Sequence, residues 1–169
     1  LLQKRGNFGR MNINVVCVGK IKEDYFMKAA AEFEKRLSRF CNFNVISLPD
    51  RPIPDNASLA ECAAVLKREG DEILKKIGKS DIVIAMCIEG KQLSSDEFSQ
   101  KMDDIALSGK SNVVFIIGSS FGLSDEVKKM SDFKFSMSKM TFPHKLARIM
   151  ITEQVYRALS ITNNAKYHK

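Results

Sequence analysis

Two short stretches carry residue types that could do chemistry, Gly118-Ser119-Ser120-Phe121-Gly122 and Thr141-Phe142-Pro143-His144. The first follows the apolar run Val113 to Ile117 and matches G-x-S-x-G, the strand-to-helix bend that holds a serine out as a nucleophile. In that chemistry Ser120 attacks, His144 is the base, and Asp125 or Asp132 orients it. The chain is short for the hydrolase fold, however, and has no separate oxyanion-hole motif upstream. The same five residues also fit a tight turn that holds nothing. A third reading starts from the backbone: both stretches open a helix, and exposed N–H groups at such bends suit a polar or charged ligand. No strand is followed by G-x-G-x-x-G, which sets a dinucleotide site aside.

The elements that must position these bends alternate between strand and helix. Ile13 to Gly19 is an apolar run ending at glycine, and Asp24 to Phe40 carries Phe26, Ala29, Ala30, Phe33, Leu37 and Phe40 on one helical face. Asn44 to Leu48 reads as a short strand closed by Pro49, and Pro52 to Pro54 as a loop. Ser58 with Glu61 forms a capping box for a helix to about Ile77, whose core stripe is Leu59, Cys62, Leu66, Ile73, Leu74 and Ile77. Gly70 weakens that helix slightly. Asp81 to Ile88 has the continuous apolar character of a strand buried on both faces, and Glu89-Gly90-Lys91 turns the chain out. Ser94 and Glu97 cap a further helix with Phe98, Met102 and Ile105 inward, ended by Gly109. The pattern is that of an α/β protein, a mostly parallel sheet with helices on both faces. Ligands of such sheets sit beyond the carboxyl ends of the strands, so the turns after Ile88, Ile117 and Ser138 are the candidate site.

Composition bounds the function. A chain of 169 residues with 44% hydrophobic and 28% charged residues fits one domain with a real core. No apolar run approaches the roughly 20 residues of a membrane span. Residues 1–10 are basic without an apolar segment of signal length, and Met11 reads as the natural start of a single domain over 11–169. The four cysteines, Cys17, Cys41, Cys62 and Cys87, show no CxxC spacing and read as thiols in a reducing cytoplasm. With His144 and His168 distant in sequence, a protein-bound metal is not expected. Charge is uneven: residues 11–127 hold 15 Lys/Arg against 18 Asp/Glu, whereas residues 128–169 hold 9 against 2. That C-terminal quarter is an electrostatic footprint for a polyanion, although a set of solvated helix faces would look the same. A noncatalytic RNA-binding module would share this basic face without needing a cofactor pocket.

Five collinear segments then narrow the reading. VGKIKEDYF, IAMCIEGK, IIGSSFGLSDEV, FSMSKMTFPHKLARIMITEQVYRA and the terminal YHK resemble the RlmH (YbeA-like) branch of the SPOUT methyltransferases, and together they cover Met11 to Lys169. The resemblance implies an α/β domain whose C-terminal segment passes through a loop as a trefoil knot, acting as a homodimer. It implies methyl transfer from S-adenosylmethionine to N3 of a pseudouridine in 23S ribosomal RNA. The sequence leaves open whether free RNA, a subunit or the whole ribosome is the substrate; a small basic footprint on one domain favours a structured partner, so the RNA is expected within the ribosome, with neither DNA nor a membrane as partner. By position, Met86, Gly118, Met137, Ser138, Lys139, Met140, Thr141 and Phe142 would hold the cofactor. His168 is the best titrating group by type for a proton acceptor, with Tyr167 and Lys169 beside it, and the family's tail reaches the active site. His144, at the start of the last helix, could contact RNA phosphate or simply cap the structure, and Lys145, Arg148 and Lys169 would face RNA. Arg148 is expected to be exposed in a polar stripe with Lys145 and Thr152, where it could also counter charge on the base. Arg157, four residues after Glu153, is expected to form an ordinary helix ion pair. The sequence departs from the family at Ser119, where related chains usually carry glycine, which raises the question of backbone freedom there.

Overall fold

The computed structural model describes residues 10–165. Five strands, β1 (Asn12–Val18), β2 (Asn42–Leu48), β3 (Ile82–Gln92), β4 (Asn112–Ile117) and β5 (Phe133–Ser136), form one sheet in the order β2-β1-β4-β3-β5, and every pairing is parallel. Five helices connect and follow them: α1 (Asp24–Leu37), α2 (Leu59–Leu74), α3 (Ser95–Leu107), α4 (Asp125–Met130) and α5 (His144–Thr162). At the amino edge Asn42 donates to Asn12 and Asn12 to Asn112, each at 2.8 Å, a side-chain ladder that pins the register of β2, β1 and β4.

Strand alternation sorts the apolar residues onto two faces. Ile13, Val15, Ile84, Val113, Phe115 and Phe135 pack with Leu37 of α1, Phe98 and Met102 of α3, and Ile151 and Val155 of α5. Val16, Val18, Val83, Ala85, Val114 and Ile116 pack on the opposite face with Ile73 of α2 and Val127 of α4. Burying each such side chain contributes about 1.5–3 kcal/mol, so the two layers together fix the sheet that carries the bends.

The elements follow the sequence with instructive differences. The first helix stops at Leu37 rather than Phe40, its C-cap Ser38 leading into a turn. Both expected capping boxes are present, at Ser58/Glu61 and Ser94/Glu97. The stripe of α2 is shifted: Leu59, at the first turn, is 90% exposed, and Glu69 is buried in line with Leu66 and Ile73. Gly70, which reads as a weakness in the helix, has a packing reason. A Cβ there would lie 2.4 Å from the Oγ of Ser124, the N-cap of α4. Nor does the chain leave the sheet at Glu89-Gly90-Lys91. Strand β3 continues to Gln92 with an irregularity between Met86 and Lys91, and Gly90 lies so close to β5 that a Cβ would come within 2.6 Å of the Phe135 backbone. Among the described residues no helix is long and apolar enough to cross a membrane, and no group of His, Cys, Asp and Glu could hold a metal ion.

Candidate functional site

Because all strands are parallel, the segments after β1, β2, β4 and β5 emerge on one edge, and two of them build a cavity of about 890 Å³ there. Its walls are Ile117 to Leu123 from the bend after β4, Met137, Ser138 and Met140 to His144 from the bend after β5, and Met86 to Glu89 from β3. Of the residues proposed from the sequence to hold a cofactor, Met86, Gly118, Met137, Ser138, Met140, Thr141 and Phe142 all line this one cavity. Lys139 does not; it is exposed and outside the lining.

Each bend is shaped by its own chemistry. In the first, Gly122 donates its N–H to the Ser119 carbonyl at 2.9 Å and takes φ +84°, so the glycine that needs the left-handed region is Gly122. Gly118 is needed for space: a Cβ there would lie 2.0 Å from the Gly122 carbonyl oxygen. Ser119 is not in a positive-φ conformation, so serine at this position causes no backbone strain. In the second bend Ser136 donates to the Ser138 carbonyl at 2.8 Å, and the Ser138 hydroxyl accepts from the Met140 amide at 3.0 Å. The amides of Ser138, Lys139, Thr141 and Phe142 donate no hydrogen bond among the described residues. Unpaired amides beside Met86, Met137, Met140 and Phe142 fit a ligand with a flat ring, a polar edge and an apolar chain. S-adenosylmethionine has those features, and the cavity's volume falls in the range of small-molecule sites.

The hydrolase geometry is not assembled. Ser120 makes no hydrogen bond to His144, and the His144 Nε2 is buried against Gly19 without a hydrogen-bond partner among the described residues. The Asp132 carboxylate accepts from the Val83 amide at 2.8 Å, so it ties the approach to β5 onto β3 instead of orienting a histidine.

The stripe Lys145, Arg148 and Thr152 is also not the exposed surface expected from the sequence. It faces α1. Lys145 pairs with Glu23 at 2.6 Å, Arg148 pairs with Glu34 at 3.4 Å with its side chain only 14% exposed, and Thr152 is buried. The Lys145 hydrogen bond holds the Glu23 carboxyl down to about 2. Arg157 and Glu153 form the helix pair expected of them. Tyr167, His168 and Lys169 lie outside the described residues.

Three groups at or just behind the cavity were missed in the sequence. Lys128 of α4 and Glu89 of β3 pair across its wall, and their hydrogen bond lowers the pKa of Glu89 and raises that of Lys128. Nothing local signals a pairing between residues so far apart. Glu69 lies behind the first bend, and it had a signal: it falls on the apolar stripe of its own helix.

A cavity beyond the carboxyl ends of an open parallel sheet, walled by two bends, defines an α/β protein with a site suited to a small amphipathic ligand. The family model described as "Predicted SPOUT methyltransferase" matches residues 11–168. Proteins named ribosomal RNA large subunit methyltransferase H from Clostridium perfringens and Clostridium kluyveri are 49% and 47% identical to it over 159 residues, covering 94% of this chain and 100% of each relative. One from Streptococcus suis is 47% identical with the same coverage. The chain belongs to the SPOUT methyltransferase family. Membership carries the expectation of a trefoil crossing near the C-terminus. The side-by-side bends and the packing of α5 against both α1 and α3 agree with it.

Proposed function

We propose that this protein transfers a methyl group from S-adenosylmethionine to N3 of a pseudouridine in 23S ribosomal RNA, as a cytoplasmic homodimer acting on the ribosome or its large subunit. The observation that carries the reading is the convergence of Met86, Gly118, Met137, Ser138, Met140, Thr141 and Phe142 on one cavity. The names and full-length similarity of the relatives support the RNA substrate.

Bound S-adenosylmethionine supplies an electrophilic methyl group. The chain's own task is to orient the partners and to help remove a proton from the attacking nitrogen. Met86, Met137, Met140 and Phe142 give apolar contact for a ring and thioether chain, while the amides of the second bend that are unpaired among the described residues give donors for polar atoms. A protonated imide nitrogen is a poor nucleophile, and a positioned base contributes about 10²- to 10⁴-fold. His168, with Tyr167 beside it, takes that role in this reading, and Lys169 contacts RNA. Arg148 and Lys145, engaged by Glu34 and Glu23, set the position of α5 and hence of the bend that precedes it. His144 lines the cavity, where it meets either cofactor or substrate.

The test is methylation of ribosomal particles from cells lacking this protein, followed by nucleoside mass spectrometry. The wild-type protein should install N3-methylpseudouridine in 23S RNA, and His168→Ala should lower kcat by about 10²-fold. Particles that already carry the mark in such cells, or that gain no methyl group, would refute the assignment.

A further inference from the structure

Beneath the first bend lies a buried acid that the mechanism above does not use. Glu69 of α2 is 4% exposed; its Oε2 accepts a hydrogen bond from the Ser119 hydroxyl at 2.8 Å, and its Oε1 is buried without a hydrogen bond of normal geometry among the described residues. The position belongs to the apolar stripe of α2, where an aliphatic side chain would pack without that desolvation cost. A polar group kept there at a loss of stability has a local task, and the geometry identifies it.

Ser119 ties the first bend together. Its carbonyl accepts from Gly122, and its hydroxyl accepts from the Phe121 amide at 3.4 Å. A hydroxyl has one proton and two lone pairs and rotates to suit its neighbours. With the proton directed at Glu69, a lone pair is left facing Phe121. We infer that Glu69 is a positioning residue for the donor-binding bend: by accepting the Ser119 proton it fixes the hydroxyl rotor and holds residues 118–122 in the shape that admits the cofactor. The inference rests on the reading of the cavity as the S-adenosylmethionine site. Burial, the largest influence, raises the Glu69 pKa, and Asp50 acts in the same sense; the Ser119 bond and, less strongly, the backbone amide and the charge of Arg51 oppose it. The neutral acid retains an acceptor for Ser119, so the device works in either protonation state.

The experiment uses the intact protein. Glu69→Leu fills the volume without an acceptor, Glu69→Gln keeps an acceptor without charge, and Ser119→Ala removes the donor. Each is measured by calorimetry with S-adenosylhomocysteine, by KM and kcat for S-adenosylmethionine on ribosomal particles, and by thermal unfolding. Glu69→Leu is expected to raise Kd and KM by about tenfold, the scale of one hydrogen bond to a charged group, with kcat at saturating cofactor within about threefold. Its melting temperature should equal or exceed that of the wild type. Glu69→Gln should rescue binding to within about threefold, and Ser119→Ala should weaken binding alone but add little to Glu69→Leu. A folded Glu69→Leu protein with Kd within about twofold of wild type, or a glutamine variant no better than leucine, overturns the inference. Should Glu69→Leu not fold, wild-type affinity in Ser119→Ala overturns it. A wild-type protein that binds no S-adenosylhomocysteine at millimolar concentration instead overturns the reading of the cavity itself.

Discussion

At the residue scale, the chemistry of this chain depends on small groups whose reasons differ. Gly122 is needed for its backbone angle and Gly118 for the space it leaves beneath the Gly122 carbonyl. A motif such as GSSFG does not distinguish those two needs, and it equally fits a nucleophile bend. Geometry separates them, since Ser120 and His144 are not bonded. Glu69 was legible in principle as a charge on an apolar stripe, yet its partner Ser119 is 50 positions away and only the fold joins them. Its pKa is raised, so its favourable contribution is present below the unfolded value of about 4.3 and is lost as pH rises through the folded value. Glu69→Gln should therefore raise the melting temperature at pH 8 and change it little at pH 4, as thermal scans at the two pH values will show. Glu23 behaves in the opposite sense. Its pKa is lowered to about 2, so the contribution of its pairing with Lys145 is present above about 4.3 and disappears as pH falls through about 2. NMR titration should find its carboxyl ionised well below the ordinary range, and Lys145→Ala should move it back toward that range, the backbone amides of Lys22 and Glu23 still holding it somewhat low.

At the element scale, alternation of strands and helices was readable from apolar runs and two capping boxes, and the sheet follows from it. What escaped was the edge. Glu89-Gly90-Lys91 has the composition of a turn, and no local signal shows that β5 lies against it. Gly90 allows that approach, because any Cβ would meet the Phe135 backbone. Gly90→Ala should cost about 1–3 kcal/mol in denaturant unfolding through this overpacking. Cofactor affinity should fall with it, since β5 carries the second bend. Unchanged stability would mean that β3 and β5 are not so closely apposed. The polar stripe of α5 was misread for a related reason: periodicity shows that Lys145, Arg148 and Thr152 share a face, but not that Glu23, at the N-cap of α1, and Glu34 within it wait opposite.

At the scale of the whole molecule, five short segments in order suffice to place the chain in its family, and the shared cavity gives them a common purpose. The homodimer is a proposal at this scale. Tyr25 and Met27 on α1 and Ile88, Phe121 and Met140 around the cavity are exposed apolar groups that a second copy would cover. Sedimentation equilibrium should find twice the 19.0 kDa chain mass, and a monomer at all micromolar concentrations would exclude it.

The central claim is that the bends after β4 and β5 form one pocket for S-adenosylmethionine. Isothermal titration of S-adenosylmethionine into the wild-type protein and into Gly118→Val tests it most directly. Saturable binding by the wild type, abolished in a variant that still folds, is the predicted result. Absence of binding to the wild type at millimolar ligand, or equal binding by both proteins, would contradict the account.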